Sequence, residues 1–565
     1  MIPSPFAQTK TAQGSGCVPV FFLQGVRAVE GEFKKPVKPV PAAELKNRRQ
    51  EEQVKQEKPA QLTGNLAADL NFLRSLLHDS SDVVIRRVRL PAERDIDLAL
   101  IYVDGMADKR VVDLDILQGL LHLARIQGFL DRLSKGNALE VIQTHLLTIG
   151  EIKVMAEVEK IIHSLLSGDT FILVEGAAQG LAVNTRGYET RGVQEPTIEA
   201  VVRGPREGFS ENLRTNTSLL RRRIKDPDLV VEMLTIGDRT HTDIALVYIK
   251  DLANVKVVKE LKGRIEKLRV DGILESGYIE QMLQDRSMTV FPQMQGTERP
   301  DKVAAGILEG RIAVIVDGTP FVLLAPAVWA QFFQSPDDFY ERAHIAIFIR
   351  FIRLISMASA LLLPSAYIAL ASFHPEMLPT SLALALAAAR TGVPFSLLVE
   401  ALLMEIAVEV VREASVRLPG PIGPTVGIVG GIILGEASVR AGIVSPLTVI
   451  VVAITAIGSF ATPSYSSAIA LRLLRFPFMF LAATFGLIGI ATGLILLTIH
   501  VASLESLGVP YLAPYAPYHV ESQGDAVVRR TWPYLKERPT FLKPQDVERL
   551  PDDVGKEDTG DEQKE

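Results

Sequence analysis

Four carboxylates, Glu400, Glu405, Glu409 and Glu436, stand inside stretches of sequence that are otherwise almost wholly apolar. An ionised group placed in hydrocarbon is costly, so each must face protein, a partner cation or water. Glu405, Glu409 and Glu413 recur every four residues and therefore share one helical face. Such a row could be a path for cations or a set of ion pairs with Arg412 and Arg417, and both readings stand. Glu436, one residue past a run of spaced glycines, is the most isolated carboxylate and the sharpest candidate for an ion path. Thr448, Thr455, Ser459 and Thr462 fall near one face of the helix that follows. Hydroxyls there can line a water-filled pore or bond back to their own helix.

The elements that must position these groups are apolar runs between residues 354 and 504, long enough to cross a membrane. The first span is expected at Leu354 to Phe373. An interfacial helix then precedes a span from Pro394 to Val411, because "RTGVP" interrupts the longer run. Gly423, Gly427, Gly431 and Gly435 lie at four-residue intervals, a spacing that lets helices approach backbone to backbone, within one subunit or between subunits. Ser445-Pro446 cap a further helix, Arg472 and Arg475 mark a return to the cytoplasmic side, and Phe476 to His500 forms the last apolar run. Five full crossings would leave the C-terminal tail on the far side unless one segment is re-entrant. Residues 331–353 interleave aromatics with Arg342, Arg350 and Arg353, as a cytoplasmic membrane interface requires.

Upstream, the chain repeats itself. "DVVIRRVRLPAERDIDLALIYVDGMADKRVVD" from Asp82 aligns with "DLVVEMLTIGDRTHTDIALVYIKDLANVKVVK" from Asp228, and "KIIHSLLSGDTFILVEG" from Lys160 with "KVAAGILEGRIAVIVDG" from Lys302. The short β-branched runs "LALIYV" and "IALVYI" read as buried strands. The expected fold is thus a soluble N-terminal region of two related α/β units, each a mixed sheet flanked by helices, followed by an α-helical multi-pass membrane domain. By residues, 1–60 read as a disordered tail, 61–190 as the first unit, 191–225 as a connecting hairpin and 226–330 as the second unit. The interfacial elbow is 331–353, the transmembrane domain of about four or five spans is 354–504, and 505–565 is a polar tail.

The last soluble segment, Thr297-Glu298-Arg299-Pro300 through Asp317-Gly318, could be an active site or a joint. Thr297 fits an N-cap, Pro300 the first helical turn and Gly310 the end of that helix. Asp317-Gly318 recurs as Glu175-Gly176 in the first copy, which favours repeated turn chemistry over a catalytic acid. These residues therefore read as a coupling segment between the soluble units and the spans.

Several function classes lack support. A net charge of -6 argues against nucleic-acid binding, with the cluster Arg221 to Arg223 reading as a solvated or membrane-facing patch. Cys17 is the only cysteine, and no H-x-x-x-H pair, P-loop, complete G-x-G-x-x-G or G-x-S-x-G elbow is present. No catalytic residue, metal site or cofactor is expected.

The segment "FPQMQGTERPDKVAAGILEGRIAVIVDGTPFVLLAP" closely resembles the pre-membrane region of the A subunits of the GerA family of spore germination proteins. "REASVRLPGPIGPTVGIVGGIILGEASVRAGIVSPLTVIVVAITAIGSF" resembles that family's membrane signature, and "SLLRRRIKDPDLVVEMLTIGDRTHTDIALVYI" part of its N-terminal domain. The resemblance spans about residues 65 to 545 and implies a protein of the spore inner membrane, in contact with lipid, with its N-terminal region cytoplasmic. It implies a pentameric, nutrient-gated cation channel that works with a transporter-like B subunit and a lipoprotein C subunit. The alternatives are a SpoVAF-like accessory channel that amplifies ion release and a non-conducting scaffold of the receptor. A secondary transporter is a third class, but no repeat is evident among the spans.

Overall fold

The computed structural model describes residues 61–90, 96–123, 138–145, 151–187, 195–196, 199–417 and 422–550. The expected tail at 1–60 lies outside them.

The first unit runs α1 (Leu66–Leu76), β1 (Val83–Leu90), β2 (Ile96–Val103), α2 (Val111–Gln118, continuing through Gly119–Leu123), α3 (Ala138–His145), β3 (Ile152–Met155), α4 (Val158–Leu165), β4 (Thr170–Val174) and β5 (Gly180–Val183). The second runs α5 (Leu213–Arg223), β6 (Leu229–Ile236), β7 (Thr242–Ile249), α6 (Val255–Glu266), α7 (Ser276–Leu283), β8 (Gln295–Thr297), α8 (Pro300–Leu308), β9 (Ile312–Val316) and β10 (Val322–Ala325). The two sheets have equivalent orders, β1-β2-β4-β5-β3 and β6-β7-β9-β10-β8. Alternation along the central strands builds a core on each face. Ala245 and Val247 pack with α5 and α8, while Ile244 and Leu246 pack with α6 and α7.

Every strand pair in both sheets is antiparallel, not mixed as expected. The reason lies in β3 and β8, which are too short to read in sequence. Each goes to the far edge before the chain returns to the sheet centre, so an apparent β–helix–β crossover hides a strand.

Part of the expected linker, 191–225, is also reassigned. Helix α5 is the second unit's counterpart of α1, and both are capped by asparagine, at Asn65 and Asn212. Arg221 does not belong to a solvated patch. It is fully buried and bonds both carboxylate oxygens of Asp82, at 2.7 and 3.1 Å, so α5 ties the two units together. Arg222 and Arg223 pair with Glu207.

The elbow contains a short helix, α9 (Asp337–Tyr340). The helical half then runs α10 (Ala343–Phe373), α11 (Thr380–Arg390), α12 (Leu397–Arg417), α13 (Ile422–Arg440), α14 (Pro446–Phe460) and α15 (Tyr465–Ala502). Among the described residues, α10 and α15 are long and apolar enough to cross a membrane. The second of these doubles back. At Gly486 the backbone turns to φ 60°, and Gly489 and Gly493 then lie against Leu481 and Phe478, residues far out of reach along a straight helix. Further from the turn, Val501 packs with Ala470. The run expected from Phe476 to His500 is therefore divided between two antiparallel arms, 465–485 and 487–502. The turn itself sits against Phe373 and His374 at the end of α10.

The second arm returns to the soluble units, where 503–550 fold against them instead of forming a free polar tail. Ala327 N–H donates to Ser506 Oγ at 3.0 Å, Trp329 N–H to the Tyr511 carbonyl at 2.8 Å, and the Gln545 amide to the Lys250 and Ala253 carbonyls at 2.7 Å. Residues 551–565 lie outside the described range.

Removing one partner of a buried ion pair leaves the other charge stranded. Asp82→Ala is thus expected to cost about 3–5 kcal/mol and to make the junction between the units the first site of cleavage in limited proteolysis.

Candidate functional site

The joint is built around two arginine centres. Arg299, fully buried, holds Asp301 through Nε at 3.1 Å and Nη2 at 2.8 Å and donates to the Glu199 and Pro205 carbonyls at 3.1 and 2.9 Å. Asp301 also accepts from the Tyr340 hydroxyl at 2.5 Å, so the connecting segment, α8 and the elbow share one network. Burial and this anionic neighbour raise the Tyr340 pKa. Pro300 is in the first turn of α8, but the N-cap position is Arg299, not Thr297. Thr297 lies in β8, accepts from the Arg299 N–H at 3.2 Å, and its hydroxyl bonds Glu199. The Glu298 carbonyl accepts from the Phe209 N–H at 2.8 Å.

Asp317 and Gly318 have a folding task common to both units. Asp317 accepts from the Leu213 N–H at 3.0 Å, as Glu175 does from the Leu66 N–H at 2.9 Å. Each carboxylate thus satisfies a free amide at the start of its unit's first helix. The paired glycines, with φ 87° and 84°, make the turn.

The second centre is Asp338 in α9, buried and bound by Arg350 at 2.9 Å and Arg353 at 3.0 Å, both from α10. Arg350 also donates to Asp525 at 3.1 Å, and Arg529 donates to the Asp338 and Glu341 carbonyls. Two of the arginines expected at the interface, Arg350 and Arg353, thus bind elbow, first long helix and C-terminal segment together, while Arg342 is exposed.

Among the helices, the predicted carboxylates separate into two groups. Glu400 is fully buried and accepts from Ser445 N–H at 3.0 Å, Thr448 Oγ1 at 3.1 Å and Arg390 Nε at 3.4 Å. Glu405, also fully buried, binds Arg475, which donates to the Ala360 carbonyl at 2.7 Å; Thr455 lies 3.4 Å from the same carboxylate. Arg475 is therefore inside the bundle. Glu409 bridges Arg412 at 2.9 Å and Arg472 at 3.2 Å. Thr455 and Ser459 donate back to the Val451 and Ala456 carbonyls at 2.6 and 2.7 Å. By contrast, Glu436 is exposed and, among the described residues, pairs only along its helix, with Arg440. Of the spaced glycines, Gly435 faces Val449 so closely that an added Cβ would stand 3.2 Å from its side chain, while Gly431 faces open space; Gly423 and Gly427 lie in the first half of α13.

The Bacillus/Clostridium GerA spore germination protein family matches residues 71–541. This chain belongs to the GerA family. It is 43% identical over 494 residues to spore germination protein KA of Bacillus subtilis (strain 168), covering 87% of this chain and 90% of that protein. It is 40% identical over 489 residues to spore germination protein GerLA of Bacillus cereus, covering 86% and 97%. A crystal structure of the N-terminal domain of the A subunit of the Bacillus megaterium spore germinant receptor GerK3 is 36% identical, covers 48% of this chain and 97% of its own, and superposes with a TM-score of 0.38.

In this GerA-family chain, Asp338, Arg475 and Arg529 are the site residues that sequence reasoning missed. Arg475 carried a signal, a cation at the edge of an apolar run, but its partner Glu405 is 70 residues away.

Two outcomes follow. Glu405→Ala is expected to destabilise the chain by about 3–5 kcal/mol by stranding Arg475, while Glu405→Leu combined with Arg475→Met restores most of the thermal midpoint. Burial, with Glu280 of α7 nearby, raises the pKa of Tyr511 in the C-terminal segment. Burial, with Glu275 nearby, pushes the Glu280 carboxyl from 4.5 up to about 7. The folded state thus holds this proton more tightly, and its stabilisation is lost as pH rises from about 4.5 through about 7. Hydrogen exchange at the Tyr511 amide should accelerate over that window, and Glu280→Gln should flatten the dependence.

Proposed function

We propose that this chain is the A subunit of a germinant receptor and that copies of it assemble into a nutrient-gated cation channel in the spore inner membrane. The observation that carries this reading is the exposure of charged pairs on otherwise apolar helices. The side chains of Glu436 and Arg440 are 58% and 78% exposed, and those of Glu413 and Arg417 are 65% and 78% exposed. Charges at such positions are not tolerated against lipid and call for water or another subunit. The open face at Gly431 suits close approach of a second helix. Glu400 and Glu405, neutralised within the protomer, then act as supports for the bundle, and Glu436 becomes the leading candidate for the ion path.

In this reading the helices 343–502 make an even number of passes, and the soluble units and C-terminal segment share the cytoplasmic side. Fold-back of 503–550 onto the soluble units supports that arrangement. A pentamer, a transporter-like B subunit and a lipoprotein C subunit complete the receptor. The joint at Arg299, Asp301, Tyr340 and Asp338 carries the signal into α10.

The test is ion flux through liposomes that contain the purified full chain. The wild type should dissipate a potassium gradient, and Glu436→Gln should slow this about fivefold, as expected for about 1 kcal/mol from one charge acting in water, without altering oligomer size. A wild type that assembles but conducts nothing would leave the scaffold reading, and saturable solute flux would point to a transporter. Deletion in spores separates receptor from SpoVAF-like amplifier: the first loses the nutrient response, whereas the second only slows ion release.

A further inference from the structure

A cavity of about 340 Å³ opens between α8, the elbow and the C-terminal segment. Its wall combines Leu308 and Leu324 with the rings of Phe339 and Trp532, and its charged groups are Arg223, Asp301, Lys302, Glu309 and Arg549. Most of those charges are already satisfied. Asp301 holds Arg299 at 2.8 Å, Lys302 holds Glu199 at 2.6 Å, and Glu309 lies 3.3 Å from Arg311. Two guanidinium groups retain unspent donors. Arg549 stacks over the Trp532 ring at 5.1 Å, and its side chain makes no hydrogen bond among the described residues. Arg223 reaches Glu207 through Nη2 at 2.8 Å, while its Nη1 makes no hydrogen bond among the described residues.

An aromatic and aliphatic slot of this volume, with polar recognition confined to a few groups, has the form of a small-molecule site. Arg549 keeps a planar guanidinium fork, which matches a carboxylate, and Arg223 adds a single donor. The surplus is cationic, so a neutral or cationic ligand would leave it unanswered.

We propose that this cavity binds a small organic acid, with its flat apolar body against Phe339 and Trp532 and its carboxylate received by Arg549 and Arg223. Such a ligand touches α8, the elbow and the C-terminal segment at once, so its binding favours the state in which those three are docked. The site stands whether or not the helices conduct ions, because none of its residues belongs to them.

The test is calorimetric titration of the full chain in detergent with phenylacetate and, as its uncharged counterpart, phenylacetamide. Phenylacetate should bind saturably and phenylacetamide at least about tenfold more weakly, in keeping with loss of a charge-assisted hydrogen bond. Arg549→Ala should weaken phenylacetate by a similar factor, and Arg549→Lys, which keeps the charge and loses the fork, by less. Trp532→Leu should weaken both probes together. The proposal is overturned if phenylacetate fails to bind to a wild type whose C-terminal segment is protected in hydrogen exchange. Equal binding of the two probes, or unchanged affinity in a folded Arg549→Ala protein, would overturn it as well.

Discussion

A buried carboxylate with two arginines is costly to desolvate and strongly directional once formed, and the Asp338 centre uses both properties. Arg350 and Arg353 come from about the third turn of α10, Asp338 comes from the elbow, and Arg529 grips the same short helix from the other end of the chain. Three segments that hydrophobic packing alone would let slide are thereby held in one register. Any displacement that separates them strands charge in a dry interior, so the joint favours discrete arrangements over gradual deformation. The Arg299–Asp301–Tyr340 network repeats this logic one layer nearer the second sheet.

The same principle orders the helices. Glu400, Glu405 and Glu409 each engage a cation from another helix, so paired charges link α12 to α11 and α15 where apolar surfaces carry little orientation of their own. The hydroxyls of Thr448 and Thr455 fill remaining acceptor positions. Exposed Glu436 takes no part in this internal arrangement, and that sets it apart chemically from carboxylates that look the same in sequence.

What could be read from the sequence was local. The internal repeat, the strands Ile96–Val103 and Thr242–Ile249 and the Ser445 cap follow from periodicity and capping chemistry. The matching of Glu175 to Asp317 was visible as a repeated turn, although its use in capping α1 and α5 was not. What escaped was non-local or brief. Strands β3 and β8 span only four and three residues, and their omission converted an antiparallel sheet into an apparent mixed one. The reversal at Gly486 gives little signal, because a glycine in an apolar helix is commonplace and only its contacts with Phe373 and His374 mark a turn. Arg221 and Arg475 looked like surface or boundary charges because their acidic partners lie 139 and 70 residues away.

The fold-back of 503–550 also bears on how the protein is made. A chain emerges from the ribosome N-terminus first and its domains fold as they appear. The second sheet is complete by residue 325, yet the backbone around Lys250, Ala253 and Leu308 acquires its last hydrogen-bond partners from residues beyond 530. Those surfaces stay open through synthesis of the whole helical half. Closure therefore waits for the last segment of the chain, and a truncated copy leaves the Lys250, Ala253 and Leu308 carbonyls without these partners.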